Sequence, residues 1–198
     1  MYRAAALKAL RLGVSIDDHE ALGRVASSAS IELSERGLGS VYLDGEDVTE
    51  AIRDPEVTDA SSTMSTVSAV RRALVSEQRR IGRSTGCVME GRDIGTVVFP
   101  DADLKVFLVA SIEERARRRF ADLKARGEEI DLASVRADIE ERDRRDSTRT
   151  DSPLRRADDA VVLDTTDLSI EEQVERVLDL AVERGAIPCP PGNEAGGE

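Results

Sequence analysis

The chain has 198 residues, enough for one domain that buries a core of its own. It is 40% hydrophobic and only 3% aromatic, so the interior must rest on Val, Leu, Ile and Ala rather than on rings, a composition that suits an α/β protein. A formal net charge of -12 excludes a general basic surface for nucleic acid or for an anionic membrane, and any bound anion must be met locally.

Residues 2–12 are rich in Ala and Leu and stop at Gly13, which predicts a helix that starts with no capping residue. A second helical stretch covers residues 18–27. The pattern then turns strand-like at Ser30-Ile31-Glu32-Leu33 and again at Ser40-Val41-Tyr42-Leu43, with Gly37 and Gly39 between, the signature of a β-hairpin. Gly45-Glu46-Asp47-Val48 reads as a polar turn. From 55 to 82 the apolar residues Val57, Met64, Val67, Val70, Leu74 and Ile81 fall at helical spacing, as in two short helices.

Cys87-Val88-Met89 and Leu104-Lys105-Val106-Phe107-Leu108-Val109 read as buried strands, separated by Gly91-Arg92-Asp93-Ile94-Gly95 and Thr96-Val97-Val98-Phe99. Ser111-Ile112-Glu113-Glu114 reads as a helix start, leading into an Arg-rich helix that runs to Gly127; another helix follows over 132–145. Residues 160–164 form a short buried strand. Ser169 with Glu172 makes a capping box for a last helix that carries Val174, Val177, Leu178 and Ala181. Strands separated by helices imply parallel β-α-β units, while residues 28–57 look like a small antiparallel insert. The expected segments are N-terminal helices at 1–27, the insert with its helices at 28–82, an α/β core at 83–186, and a tail of disordered composition at 187–198.

Cys87 sits in an apolar run and Cys189 in a Pro-rich tail, which argues against a disulfide and for a reducing compartment. No apolar run approaches the roughly 18 residues that span a bilayer, and no leader pattern is present. The expectation is a cytoplasmic monomer without nucleic-acid or membrane partners.

Only Lys8, Lys105 and Lys124 are lysines, so a bound phosphate would be held chiefly by the planar fork of arginine. Gly91-Arg92-Asp93 follows an apolar run, where α/β proteins place ligand groups; it offers a guanidinium beside a carboxylate, and a plain salt bridge within the turn is the alternative. Arg142, Arg145 and Arg149 share one face for as long as their helix continues, with Asp146 one turn from Arg142. Residues 136–149 nevertheless hold five Arg against five acidic residues, so the pattern by itself favours a self-neutralising solvated helix. Arg115, Arg117, Arg118 and Arg119 crowd four cations together, and a polyanion such as a nucleotide would relieve their repulsion. His19, the one histidine, lies in an acidic polar stretch and reads as a surface residue. No metal-ligand cluster, serine-hydrolase elbow or Cys/His pair is evident in the sequence.

Taken together, Tyr2-Arg3-Ala4, Gly45-Glu46-Asp47-Val48, Ile52-Arg53, the run from Glu90-Gly91-Arg92-Asp93 through Val97-Val98-Phe99-Pro100-Asp101-Ala102, Glu140-Glu141-Arg142-Asp143 and Val162-Leu163-Asp164-Thr165 resemble bacterial cytidylate kinase in order and spacing. The resemblance runs from Tyr2 to about Arg184. It implies a P-loop nucleoside-monophosphate-kinase fold, a parallel sheet with helices plus an antiparallel monophosphate-binding insert. The activity implied is transfer of the γ-phosphoryl of ATP, bound with Mg²⁺, to CMP or dCMP.

By the same resemblance Ser62, Arg71 and Asp93 would read cytosine, Arg3 and Arg92 would hold the CMP phosphate, and Tyr2 would line the pocket. Arg142 with Asp146 would meet the sugar, Arg118 and Arg119 would lie in a mobile lid over about residues 112–130, and Arg149 with Arg142 would spread over the transferring phosphoryl group. The pattern departs from the family in one respect: G-x-x-x-x-G-K-[ST], whose backbone amides, lysine and hydroxyl converge on ATP phosphates, does not occur, and none of the three lysines follows a glycine. In the family that loop precedes the Tyr-Arg-Ala match, in a strand-loop-helix-strand segment. The expectation is therefore that the chain lacks that segment and does not itself turn over CMP, with a non-catalytic CMP-binding or interaction protein as the competing reading.

Overall fold

The computed structural model describes residues 1–33, 39–85, 87–149 and 151–186, and divides into two compact units: Met1–Val98 with Thr148–Pro153, and Phe99–Ser147 with the chain from Leu154 onward. The expected tail at 187–198, with Cys189, lies outside the described residues, as does Gly37 of the expected hairpin turn.

In the first unit, α1 (Tyr2–Arg11) and α2 (His19–Ser28) lead into a three-stranded antiparallel sheet of β1 (Ile31–Leu33), β2 (Val41–Leu43) and β3 (Glu46–Asp47). A short 3-10 turn at Ala51–Arg53 is followed by α3 (Pro55–Met64), α4 (Ser68–Thr85) and one π-helical turn at Ile94–Val98. α1 has no side-chain cap, and its Ala4, Ala5 and Ala6 have no exposed surface: small side chains let its backbone lie close to α3 and the 3-10 turn. α2 packs on α4 with Gly23 against Ala69; a Cβ built at Gly23 would stand 2.7 Å from the Ala69 Cβ. Leu22, Ile31, Met64, Val70 and Leu74 complete one continuous core.

Glu46 and Asp47 are a strand rather than the expected turn. The turn is one residue pair earlier, at Asp44 and Gly45, both at positive φ (51° and 86°), the Asp-Gly pair that a tight hairpin favours. The Asp44 carboxylate accepts from Ser30 N at 2.9 Å and pairs with Lys8 at 2.7 Å, tying the hairpin to α1. The helix after Ser65 is a single element of 18 residues, not a short one.

In the second unit β4 (Val106–Val109) and β5 (Val161–Asp164) pair in parallel, from Val106 opposite Val161 to Val109 opposite Asp164. A parallel pair needs a long crossover, and α5 (Ile112–Ala125) and α6 (Leu132–Thr148) provide it. α7 (Ile170–Glu183) opens on a complete capping box between Ser169 and Glu172. Ser111 caps α5 by accepting from Glu114 N at 3.2 Å.

The expected strand at 87–89 does not form: Cys87 is exposed, Val88 is fully exposed, and neither lies in a strand. An apolar run becomes a strand only against a hydrogen-bonding neighbour, and none pairs with it among the described residues. β4 and β5 form as expected but are not fully buried, with Leu108 at 57% and Val162 at 44% exposure. The stripe of α7 likewise leaves Val174 and Leu178 exposed, because periodicity marks a face able to be buried without supplying its cover.

Candidate functional site

α4 fixes the central side chain of the first unit. Val70 and Leu74, buried in the core, set the rotation of the helix and bring Arg71 to 4% exposure. Its Nη1 donates to Ser65 O at 3.3 Å and its Nη2 bonds the Asp93 carboxylate, itself 8% exposed. The Arg71 Nε has no hydrogen-bond partner. Asp93 thus pairs with a residue 22 positions away on α4, a long-range arrangement that the turn-salt-bridge reading does not describe.

The backbone that carries Asp93 is unusual. Its carbonyl accepts from the amides of Thr96 (3.3 Å), Val97 (2.8 Å) and Val98 (3.2 Å), the knot that defines the π-turn. Single π-turns are rare and concentrate at functional sites.

Tyr2 opens α1, and its phenol Oη is buried with no hydrogen-bond partner. Burial pushes the phenol pKa above its ordinary value; Asp93 adds to the rise, while Arg71 and Arg149 oppose it. The charges of Arg71, Asp93 and Arg149 therefore all bear on this hydroxyl. Arg149 follows the end of α6, so it does not share the helical face of Arg142 and Arg145; its Nε donates to Ser152 O at 2.6 Å, in a loop where Ser152 takes φ 51°. That loop is held to α4 by a hydrogen bond from the Ser68 hydroxyl to Asp151. Arg3 donates to Ile52 O at 3.1 Å, and Arg92 is exposed beside buried Asp93. Ser62 lies in the last turn of α3, where its carbonyl accepts from the Ser65 hydroxyl at 2.7 Å, one residue contact away from Arg71.

The remaining predicted residues lie in the second unit. Arg142 is exposed on α6, and Asp146, one turn later, is 8% exposed. Arg118 donates to Thr165 O at 2.5 Å and Leu168 O at 3.3 Å, closing the turn after β5. Arg117 and Arg118 share Glu114 at 2.7 Å each, which holds that carboxyl down to about 2, and Arg115 bonds Asp143 at 2.5 Å. The repulsion expected among these arginines is thus relieved largely from within the protein. Arg119 is half-buried on the same helix.

Sequence reasoning missed Arg79 and the Ser68–Asp151 contact. Nothing in the pattern of α4 separates Arg79 from Arg72 or Arg80; only its bonds to Val97 and Val98 do.

Residues 1–183 match the family model described as cytidylate kinase. The chain is 50% identical over 186 residues to the cytidylate kinase of Solibacter usitatus, covering 93% of this chain and 79% of that protein. It is 45% identical over 195 residues to that of Syntrophotalea carbinolica, covering 98% and 83%. A bifunctional pantoate ligase/cytidylate kinase of a Synechococcus species is 48% identical over 191 residues, covering 93% of this chain and 35% of that protein. With an α/β fold and a buried arginine–carboxylate pair in its first unit, the protein is a nucleoside-monophosphate kinase. The chain belongs to the cytidylate kinase family.

Proposed function

We propose that Arg71 and Asp93 are the pair by which this cytidylate kinase, with CMP and dCMP as acceptors and ATP as donor, reads cytosine, and that this chain, with no G-x-x-x-x-G-K-[ST] in its sequence, binds CMP without itself turning it over. The buried Arg71–Asp93 pair beside the unpartnered Tyr2 phenol carries this reading. Cytosine presents an exocyclic amino donor next to a ring-nitrogen acceptor. A carboxylate accepts from the first and a guanidinium donates to the second. Uracil reverses both, placing an oxygen against the carboxylate, so the same pair rejects UMP. Ser62 joins this edge, and Tyr2 lines the pocket wall.

Arg3 and Arg92 bind the CMP phosphate, with Arg149 nearby to neutralise charge on the transferring phosphoryl group. The assignments of Arg142 and Asp146 to the sugar, of Arg142 also to the phosphoryl group, and of Arg118 and Arg119 to the lid rest on the family resemblance. Phosphoryl transfer needs Mg²⁺ on the ATP phosphates. Among the described residues no group of three or more His, Cys, Asp or Glu is placed to hold a metal. Among the same residues no helix is long and apolar enough to cross a membrane.

The test compares CMP and UMP, by calorimetric binding and by diphosphate formation from ATP and Mg²⁺, in the protein and in Asp93→Asn. The preference for CMP should fall about 10- to 100-fold in Asp93→Asn, the worth of a hydrogen bond to a charged group. Equal affinity of the unsubstituted protein for CMP and UMP, or an unchanged preference in Asp93→Asn, would sink the reading.

A further inference from the structure

Arg79 lies eight residues beyond Arg71 on α4. Its guanidinium reaches the far end of the π-turn, Nε donating to Val98 O at 3.0 Å and Nη2 to Val97 O at 2.6 Å. One helix therefore holds the Asp93 segment at two points, Arg71 on the carboxylate and Arg79 on the last two carbonyls. Between them the Asp93 carbonyl gathers the amides of Thr96, Val97 and Val98, so a shift of Val97 or Val98 is passed directly to the Asp93 peptide. A carboxylate has its own rotational freedom, and one ion pair does not fix the direction of its second oxygen. The direction is fixed only when the backbone beneath it is fixed as well.

We propose that Arg79 is a positioning residue for base selection: its two bonds to the π-turn hold the Asp93 carboxylate in the orientation that accepts cytosine and refuses uracil. This rests on Asp93 reading the base, as argued above. The fork geometry matters, because two successive carbonyls are bonded by two nitrogens of one rigid plane; a lysine keeps the charge without the fork. The role is distinct from catalysis, since Arg79 reaches the base only through Asp93.

The experiment measures dissociation constants for CMP and for UMP by calorimetry, with a thermal melt of each protein, in the unsubstituted chain, Arg79→Gln, Arg79→Lys and Arg80→Gln. Arg80 is on the same helix but exposed, and bonds Glu77 instead of the turn. The UMP-to-CMP ratio is the readout, because a loss of folded protein lowers both affinities and cancels in it. Arg79→Gln should lower the ratio by about tenfold, the scale on which a small misplacement of a site group acts. Arg79→Lys should fall between, and Arg80→Gln should match the unsubstituted protein. Folded Arg79→Gln and Arg79→Lys that both keep the original ratio would overturn the inference; should Arg79→Gln fail to fold, Arg79→Lys alone decides. An unsubstituted protein with no preference for CMP defeats the assignment of Asp93 first, and the role of Arg79 with it.

Discussion

Arg71 and Asp93 face each other with 4% and 9% of their side-chain surfaces exposed. Burial of both charges carries a desolvation cost that their attraction barely offsets, so such a pair is better explained by function than by stability. Removing one partner is another matter. Arg71→Ala leaves a buried carboxylate without its cation and should destabilise the protein by about 3–5 kcal/mol near neutral pH. Urea unfolding at pH 7, set against the unsubstituted protein, checks this. No measurable deficit would show that Asp93 finds another cation. The sequence marked Asp93 as a ligand group and the family resemblance supplied Arg71, but their partnership spans a helix and a loop, and no local pattern records a contact 22 residues apart.

At the scale of the element, the helices and hairpin were legible because their signals are local: Ala-rich α1, the Ser169 capping box, the stripe of Val57, Met64, Val67, Val70 and Leu74. Cys87-Val88-Met89 misled because apolarity signals a segment that can pair without naming its neighbour. The π-turn at Ile94–Val98 was illegible for a related reason: its defining bonds converge on one carbonyl, and a Thr-Val-Val run reads by propensity as strand. The contact of α2 with α4 offers a sharp test. A methyl at Gly23 must displace Ala69, which is itself a short side chain with no room to turn away. Gly23→Ala should cost about 1–3 kcal/mol despite the gain in helix propensity, measured by thermal unfolding. A stabilised Gly23→Ala would mean that the two helices separate readily.

For the whole molecule the balance lies between charge and exposed apolar surface. Leu108, Val162, Val174 and Leu178 are all between 44% and 58% exposed, and the chain carries a net charge of -12 at neutral pH. Mutual repulsion at that charge keeps such surfaces on different molecules apart. Acidification toward the isoelectric point of about 4.7 removes the repulsion, and light scattering should then report association that is absent at pH 7. Leu178→Glu should weaken it by placing charge within the apolar stripe of α7. Identical scattering from both proteins across the titration would show that these residues take no part.

The shared acceptor in the π-turn also has a meaning in time. The amides of Thr96, Val97 and Val98 have one oxygen among them. Their protection from solvent exchange is therefore a single property of the turn rather than three: when the Asp93 carbonyl swings away all three are released in one event, and the carboxylate on the same residue changes its aim in that same moment.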